Sequence, residues 1–542
     1  MHRGVSKCES CSACLRLQEV QPRIRECKEP LDELYIQEAH TKASVNTAHD
    51  LITRYLPMEL ASNIFMLCKP NSSPVEIGVE VFPPEAPFTP HKYQISLGMV
   101  CKSWRNIIRS TPQLWTDIYI RFPILNGVEP QVYRESLLLS LRLSGSLPLY
   151  IQGRLELPFA RNYTEIEYRT HSSLLEVLND HSDRWNTLDL WIAPLFLSHI
   201  RGVASGAPNL KHLRIHLTCR QTNHTFLIPF GLPSPQIVEV RGIPFSLIRI
   251  SWKNVTKVKL GTLNIGECLE LLRQATHLVD FAVDFMPPED SGLPDLGEVF
   301  TASRLASWKV YIFNMADALF SRLILPSLVS LDLSGCFSQS LDSLGHLISR
   351  SMCPLRFLSF SEAGITPAGV IPVLRATPLL KQLVFSKVLM RRLDELLDLL
   401  ARTKLVSDFP QNPNTVFLPH LEELSFIKMQ EYLPPWHLVP SLFPPTLYLE
   451  NTQYRPLRKL ELYIDLDLDL KDHLDKDVVL QMQEIRQRGY DIIIWNEIFC
   501  APDAEVIQDS YEHHFGSQTS TSDDPGVEEG EEADRYAFDT EG

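Results

Sequence analysis

The sequence predicts an α/β fold in which a small all-helical module precedes a long solenoid of parallel strands and helices, with polar segments at both ends. Three observations predict this architecture. Paired amphipathic patterns lie between positions 51 and 115, a leucine pattern recurs from about 140 to 500, and the chain turns acidic beyond 501. The predicted parts are a polar, Cys-rich and partly disordered segment at 1–48, the helical module at 49–120 with a Pro-rich insert at 69–94, the repeat domain at 121–500, and a disordered acidic tail at 501–542.

The distribution of charge along the chain limits the classes of binding partner that we expect. The 542 residues carry a formal net charge of −15. Thirteen acidic residues and a single basic residue, Arg535, lie in the last 42 positions, so the rest of the chain is nearly neutral. We therefore expect no binding to nucleic acid or to a membrane through a basic surface.

The lengths of the apolar runs and the positions of the cysteines bear on the cellular compartment of the protein. The N-terminus lacks the apolar core of a secretory signal, and no run approaches the length of a membrane span. The chain has 11 cysteines, an odd number, and most fall inside apolar patterns where thiols pack as small hydrophobes. These features predict a reducing compartment, the cytoplasm or the nucleus.

The first amphipathic element begins at Leu56-Pro57. Proline suits the first position of a helix, and Glu59 suits the positive end of the helix dipole. The apolar positions that follow share one helical stripe, with Phe65 beside it: Leu60, Ile64 and Leu67.

The second element predicts one longer helix. Its apolar positions follow the spacing i, i+3, i+4, i+7, i+10, i+11: Leu97, Val100, Cys101, Trp104, Ile107 and Ile108. Pro112 ends this helix, and Thr111 is placed to cap a short third helix that contains Leu114 and Trp115. Three short helices form a core too small to be stable alone. The module therefore needs a partner surface, either in the same chain or on another protein.

These residues carry a family resemblance. The strings LPMELASNIF at 56–65 and ISLGMVCKSWRNIIRSTPQLWTDI at 95–118 resemble the F-box in the form common among fungal F-box proteins. The family pattern LPxE(I/L)xxxIF, a variable loop, LxxVCrxWrxia and tPxLW is matched in order. Departures are small, since Met58 and Ala61 are accepted variants and Asn63 replaces a commonly acidic residue.

The resemblance implies docking onto the Skp-type adaptor of an SCF-type cullin–RING ubiquitin ligase. It implies no cofactor. The matching residues would be divided between adaptor contact and the core of the F-box itself: Leu56, Pro57, Glu59, Leu60, Ile64, Phe65, Val100, Cys101, Trp104, Arg105, Leu114 and Trp115.

A unit of the form LxxLxL recurs through the second part of the chain. Its first apolar residue stands at positions 185, 210, 237, 255, 278, 305, 328, 355, 380, 421 and 457. Most steps are close to 25 residues, which is the leucine-rich-repeat range. Helical runs such as Leu341–Ile348 and Leu393–Leu400 lie between the units. Each unit would bury its leucines by stacking on its neighbours.

The string LVSLDLSGC at 328–336 resembles the cysteine-containing leucine-rich repeats that often accompany F-boxes, although the other units lack Asn or Cys at that position. We therefore predict an irregular array of leucine-rich-repeat type. The alternative is a non-repetitive α/β domain with similar strands. Non-core strand positions are candidates for target binding or plain solvated surface: Lys211, Arg214, His216, Asp332, Arg356, Lys381 and Glu423.

Two patterns resemble metal sites but lack essential ligands. The first is a CxxCxxC motif whose fourth cysteine is distant and unpaired, so an unstructured thiol-rich segment is the preferred interpretation and no metal is predicted: Cys8, Cys11, Cys14 and Cys27. Asp465, Asp467 and Asp469 resemble the start of a calcium loop, but the required Gly and Glu are missing, and a strand fits better. His513 and His514 lie in the acidic tail.

The leading hypothesis is a non-catalytic substrate receptor, in which the F-box docks on the adaptor and the repeats bind a protein target. The alternative is an F-box scaffold that acts outside ubiquitin ligation. No nucleotide-binding, nucleophile-elbow or zinc-protease motif is present, so an enzyme is not expected.

Overall fold

A computed structural model describes most of the chain, which divides into two compact units, Met1–Pro287 and Pro288–Gly542. The described residues are 12–48, 50–69, 92–121, 130–154, 164–203, 206–217, 226–227, 231–286, 299–312, 316–335, 340–390, 392–403, 417–429, 435–444, 454–464, 474–496 and 506–515.

The helices of the first unit are α1 Ser12–Ala48, α2 Leu51–Tyr55, α3 Met58–Leu67, α4 Lys92–Val100, α5 Lys102–Ser110, α6 Pro130–Leu143, α7 Glu165–Asn179 and α8 Ile265–Gln274. Those of the second unit are α9 Ala316–Phe320, α10 Leu341–Ser351, α11 Pro367–Arg375, α12 Leu393–Arg402, α13 Lys476–Gln487 and α14 Val506–Phe515. Short 3₁₀ helices span Pro112–Trp115, Ser182–Arg184, Pro194–His199, Phe245–Leu247, Trp252–Asn254, Trp436–Leu438 and Pro440–Leu442.

The strands of the first unit are β1 Asp117–Arg121, β2 Leu149–Arg154, β3 Trp185–Ile192, β4 His212–Leu217, β5 Phe226–Leu227, β6 Ile237–Arg241, β7 Ile248–Arg249, β8 Lys257–Thr262 and β9 Asp280–Met286. Those of the second unit are β10 Phe300–Thr301, β11 Ser307–Ile312, β12 Leu323–Ile324, β13 Ser330–Ser334, β14 Phe357–Ser361, β15 Gln382–Ser386, β16 Glu423–Met429, β17 Lys459–Ile464 and β18 Asp491–Asn496.

The main-sheet strands are parallel and number 14 among the described residues, seven in each unit. In the first unit their order is β1-β2-β3-β4-β6-β8-β9, and β5 pairs with β7 apart from them. The register aligns one buried apolar residue from each strand in a single row: Ile118, Ile151, Leu188, Leu213, Val238, Val258 and Phe281. Equivalent positions of successive strands therefore stack to form the sheet.

The second unit repeats this arrangement with the order β11-β13-β14-β15-β16-β17-β18, and β10 pairs with β12 apart from them. Its buried row ends in two aliphatic residues after three stacked phenylalanines: Val310, Leu333, Phe360, Phe385, Phe426, Leu462 and Ile494. The Phe360–Phe385 and Phe385–Phe426 ring centroids lie 5.7 Å and 5.2 Å apart. The structure thus confirms the predicted mixed α/β class with parallel strands and open sheets.

The leucine pattern located the strands correctly. Every one of the eleven predicted units coincides with a main-sheet strand between β3 and β17, and the helical runs predicted at 341–348 and 393–400 form α10 and α12. Stacking buries the inward residues because adjacent strands lie in register. The helical face of α12 is buried as the spacing predicts: Leu393, Leu396, Leu397 and Leu400.

A buried arginine, Arg455, supplies hydrogen-bond donors at the end of α12. Arg455 is 3% exposed and donates to the carbonyls of Leu400, Thr403, Phe417 and Leu418, so it joins the end of α12 to the segment before β16. Burial lowers its pKa to about 10. The last carbonyls of a helix lack partners within the helix, and the planar guanidinium supplies several donors at once.

Helices lie within both terminal segments of the chain. The segment at 12–48, where partial disorder was expected, is helix α1, and it includes Pro22 and Pro30. Within the predicted disordered tail, α14 packs with Ile507 fully buried and carries His513 and His514. Ile507 supplies the apolar anchor that overall composition concealed. Positions 1–11, 465–473 and 516–542 lie outside the described residues.

Candidate protein-docking site

The helical module has its own small core. Six buried side chains form it: Ala61, Phe65, Ile107, Ile108, Leu114 and Trp115. The ring centroids of Phe65 and Trp104 lie 4.8 Å apart, and the Trp115 indole donates to the Ile108 carbonyl at 2.8 Å. Leu143 of α6 packs against this core, which therefore connects the module to the domain that follows it.

Helix α3 presents two residues of its predicted apolar stripe to solvent. The stripe predicted from spacing contains Leu60, which is 50% exposed, and Leu67, which is 86% exposed. The core contact is made instead by Ala61 and Phe65, at 0% and 2% exposure. The third residue of the predicted stripe, Ile64, is partly buried and packs against the core, so Leu60 and Leu67 are the stripe residues left exposed.

Helix α4 likewise has exposed apolar residues and others that contact the rest of the module. Ile95 and Met99 are one turn apart, with exposures of 52% and 72%. On the other side, the buried Gln94 amide donates to the Leu114 carbonyl at 2.7 Å, and the Tyr93 hydroxyl donates to the Phe65 carbonyl. Burial raises the pKa of Tyr93 to about 12, so it stays a donor. These contacts show that the predicted insert ends earlier than position 94.

The predicted second helix is two helices. The backbone is extended at Cys101, between α4 and α5, and the Cys101 thiol accepts a hydrogen bond from the backbone N–H of Trp104. The Asn46 side chain of α1 donates to the Val100 carbonyl at 2.7 Å. Spacing of apolar residues does not reveal such a break, because the stripe continues through it.

The Asp50 side chain connects the start of α2 to the break between α4 and α5. Its carboxylate is 7% exposed and accepts hydrogen bonds from the Trp104 indole at 2.9 Å, from the Cys101 thiol, and from both the backbone and hydroxyl of Thr53. Burial alone would raise the pKa of Asp50, but the hydrogen bonds from Thr53, Trp104 and Cys101 outweigh it, and the pKa is lowered. Asp50 therefore caps α2 and holds α5 at the same time.

The ends of α3 and α5 refine two cap predictions. Pro57 is the residue before α3 rather than its first residue, and its carbonyl accepts from the backbone of Leu60 and Ala61. Thr111 precedes the 3₁₀ helix as expected, but its hydroxyl donates to the Ile107 carbonyl at 2.7 Å instead of capping.

The twelve residues assigned by resemblance fall into three groups according to their solvent exposure. Four are buried: Phe65, Cys101, Leu114 and Trp115. Four are partly buried: Leu56, Ile64, Val100 and Trp104. Four are exposed: Pro57, Glu59, Leu60 and Arg105. Asn46 and Asp50 lie outside the matched strings, so the sequence did not single them out. Ile95 and Met99 do not belong to the apolar stripe that predicted the second helix.

The candidate positions on the strands are mostly engaged in ion pairs. Arg214 contacts Asp189 and Glu239, Asp332 contacts Lys309 at 2.8 Å, and Lys381 contacts Glu422. His216 is buried beside Glu239, at 3.3 Å. Lys211 and Arg356 are exposed, and Glu423 is partly exposed. The charged cluster around Asp189 was not found from the sequence, because its members come from separate repeats.

The described side chains do not converge into a metal-binding group. That part of the chain contains no group of three or more His, Cys, Asp or Glu residues able to hold a metal ion. Cys8 and Cys11 lie outside the described residues, and the side chains at Cys14 and Cys27 on α1 are likewise outside them. Among the described helices, none is long and apolar enough to cross a membrane.

Comparison with known proteins adds no family assignment. No protein-family model matches the chain, and no curated protein matches it.

Proposed function

We propose that this chain is the substrate-recognition subunit of an SCF-type cullin–RING ubiquitin ligase. The observation that carries the proposal is an F-box-like string that folds into a helical module with unpartnered apolar side chains on α3 and α4. In this proposal the irregular leucine-rich-repeat-like array binds the target protein.

The exposed apolar residues supply the energy for docking. Leu60 and Leu67 lie on α3, and Ile95 and Met99 lie on α4, each at least half exposed. Complete burial of such a side chain contributes about 1.5–3 kcal/mol. A Skp-type adaptor that covers several of them would bind tightly, even after the cost of association.

The chain's own contribution to ubiquitin transfer is proximity. A target held by the repeat domain is kept near the ubiquitin-carrying enzyme, which converts an encounter in solution into a reaction within one complex. No residue of this chain is assigned a chemical step.

The docking experiment measures the affinity of the full chain for a purified Skp-type adaptor. The double variant Leu60→Glu with Met99→Glu removes two exposed apolar contacts without touching the core. We expect binding to weaken by about 100-fold or more, since each lost contact contributes about 1.5–3 kcal/mol. Trp104→Ala is not suitable, because Trp104 also holds Asp50.

The matched control is Ile166→Glu with Leu480→Glu. Both residues are exposed, at 67% and 43%, and belong to α7 and α13 rather than to the helices of the F-box-like module. The control should bind the adaptor like the unmodified chain. Equal affinity of the docking variant and the control would refute adaptor docking through α3 and α4.

Ligase activity is tested separately from docking. In a reconstituted reaction with cullin, RING subunit and ubiquitin-carrying enzyme, a target bound to this chain should acquire ubiquitin. Adaptor binding without any transfer to bound partners would instead favour the F-box scaffold that acts outside ubiquitin ligation.

A further inference from the structure

The stretch from β3 to β8 has an unusual charge balance. Residues 185–262 contain nine Lys and Arg but only two acidic residues, Asp189 and Glu239, in a chain whose net charge is −15. The stretch also contains four histidines. A local excess of positive charge within an acidic chain marks a surface for an anionic partner.

Cations contact both acidic residues, of which Asp189 is buried and Glu239 is partly buried. The side chain of Asp189 is 3% exposed and that of Glu239 is 17% exposed. Arg154 and Arg214, which bind Asp189, keep 33% and 30% of their side-chain surface in solvent, and Lys259 keeps 32%. Around Asp189 and Glu239, solvent therefore meets mainly cationic groups.

The strand register builds this face. Asp189, Arg214, Glu239 and Lys259 occupy equivalent positions on β3, β4, β6 and β8, so opposite charges alternate across four neighbouring strands. Arg214 donates to Glu239 at 2.7 Å and to Asp189 at 3.3 Å. The 3.3 Å contact of Glu239 with His216, together with the nearby cations Arg214 and Lys259, outweighs the effect of its burial and lowers its pKa to about 2. The carboxylate therefore stays charged and keeps its partners in place.

An aromatic row fixes the adjacent cations. The Arg154 guanidinium lies 5.3 Å from the ring centroid of Trp191, and Trp191 lies 4.4 Å from His216. Arg154 also makes a bidentate contact to Asp189, at 2.7 Å and 2.9 Å. Because bidentate pairing and stacking both restrict the guanidinium, little side-chain entropy is lost when an anion binds to it.

A glycine extends the cationic face to the next strands. Gly261 of β8 has no side chain, and an added Cβ would lie 3.4 Å from the Cα of Arg241. Across this gap the Arg241 side chain reaches Asp284 of β9, at 2.8 Å. Lys257, which stands two residues before Lys259 on β8, is half exposed and contacts Asp280.

We propose that this cationic face, formed by Arg154, Arg214, Arg241, Lys257 and Lys259, binds an acidic segment of a protein target through its carboxylate or phosphate groups. The proposal rests on the proposed function, because it names the class of target for the repeat domain. A protein segment fits better than nucleic acid, since only a few partly shielded cations are present and the chain as a whole is negative.

The experiment titrates the full chain with three fluorescent peptides of equal length, which carry glutamates, phosphoserines or glutamines at the same positions. The glutamate and phosphoserine peptides should bind, with affinity falling as salt is added, and the glutamine peptide should not. The tighter of the two anionic peptides identifies the source of the anion.

The variant Lys257→Gln with Lys259→Gln should weaken binding of the anionic peptides by about tenfold. The matched control, Arg249→Gln with Lys253→Gln, removes the same charge from β7 and a 3₁₀ helix outside the main sheet, and should leave the affinity unchanged. The variants change exposed residues and the partly exposed Lys259, and unaltered circular dichroism checks that each one folds.

The proposal is overturned if the glutamine peptide binds as well as the others, or if the two double variants bind the anionic peptides with equal affinity. It is also overturned if a single-stranded oligonucleotide outcompetes both anionic peptides. Adaptor affinity is measured on the same samples. Peptide binding without adaptor binding would leave this inference intact and would refute the proposed function, while the reverse result would refute the inference alone.

Discussion

Replacement of Asp50 by alanine should loosen the F-box-like module without changing its exposed face. The Asp50 carboxylate is 7% exposed and accepts from the backbone of Thr53, the indole of Trp104 and the thiol of Cys101. Alanine removes the cap of α2 and leaves the indole N–H without its acceptor at the start of α5.

The expected loss is about 3 kcal/mol. Loss of an N-cap costs about 1 kcal/mol, and loss of a charged acceptor for the Trp104 indole costs about 2 kcal/mol. Because about 1.4 kcal/mol is a factor of ten, amides of α5 that exchange through local opening should exchange roughly 100-fold faster. Hydrogen-exchange mass spectrometry of peptides from 92–115 measures this directly.

Glu59→Ala is the matched control. It removes one carboxylate from the first turn of α3, where the side chain is exposed, and should leave α5 exchange unchanged. Unchanged exchange in Asp50→Ala would refute the reasoning that this carboxylate holds α5. Faster exchange over the whole first unit would show general unfolding instead.

The effect of Asp50 depends on pH in a defined direction. Its pKa is lower in the folded chain, because the hydrogen bonds from Thr53, Trp104 and Cys101 favour the charged form more than burial disfavours it. The stabilisation is therefore present above the ordinary aspartate pKa of about 3.9 and is lost as the pH falls below it. The difference between Asp50→Ala and the unmodified chain should shrink in acid.

Three further perturbations have defined outcomes. Arg455→Met should destabilise the second unit by about 3–5 kcal/mol, because several buried carbonyls lose their donor at once, and exchange of α12 peptides should rise. Phe385→Ala should cost about 3–5 kcal/mol by opening a cavity between Phe360 and Phe426, seen as a lower unfolding midpoint in denaturant. Glu239→Gln should make exchange of β4 and β6 less sensitive to acid between about pH 4.5 and 2, since the Glu239 pKa is lowered to about 2 and its contribution is lost over that window.

The strand positions of the parallel α/β fold were largely predictable from the sequence. The inward residues of each strand recur at fixed offsets, and each offset leads to a buried position in the same row, as with Leu213, Val238 and Val258. This works because a parallel strand and the helix after it form one local unit whose apolar pattern repeats. The acidic terminal composition hid α14, which is anchored by the buried residues Ile507 and Ser510.

The candidate docking site was only partly predictable. Spacing placed Leu60 and Leu67 on one helical stripe, but spacing does not say which of two stripes faces the core. That choice is made by what packs on the other side, where Ala61 and Phe65 meet residues of α5 more than 40 positions away. The local pattern therefore predicted a helix, and long-range packing decided which of its faces is free.

The amino-acid sequence by itself determined the α/β class, the strand positions and the F-box-like string, because each depends on periodicity or residue order within a short window. Tertiary structure decided the break at Cys101, the role of Asp50 and the cationic face around Arg214. Each of these joins side chains from separate elements, and their burial and pairing depend on strand register and helix packing. A charge count finds the excess of cations between 185 and 262, but only the fold places Asp189 and Glu239 beneath them.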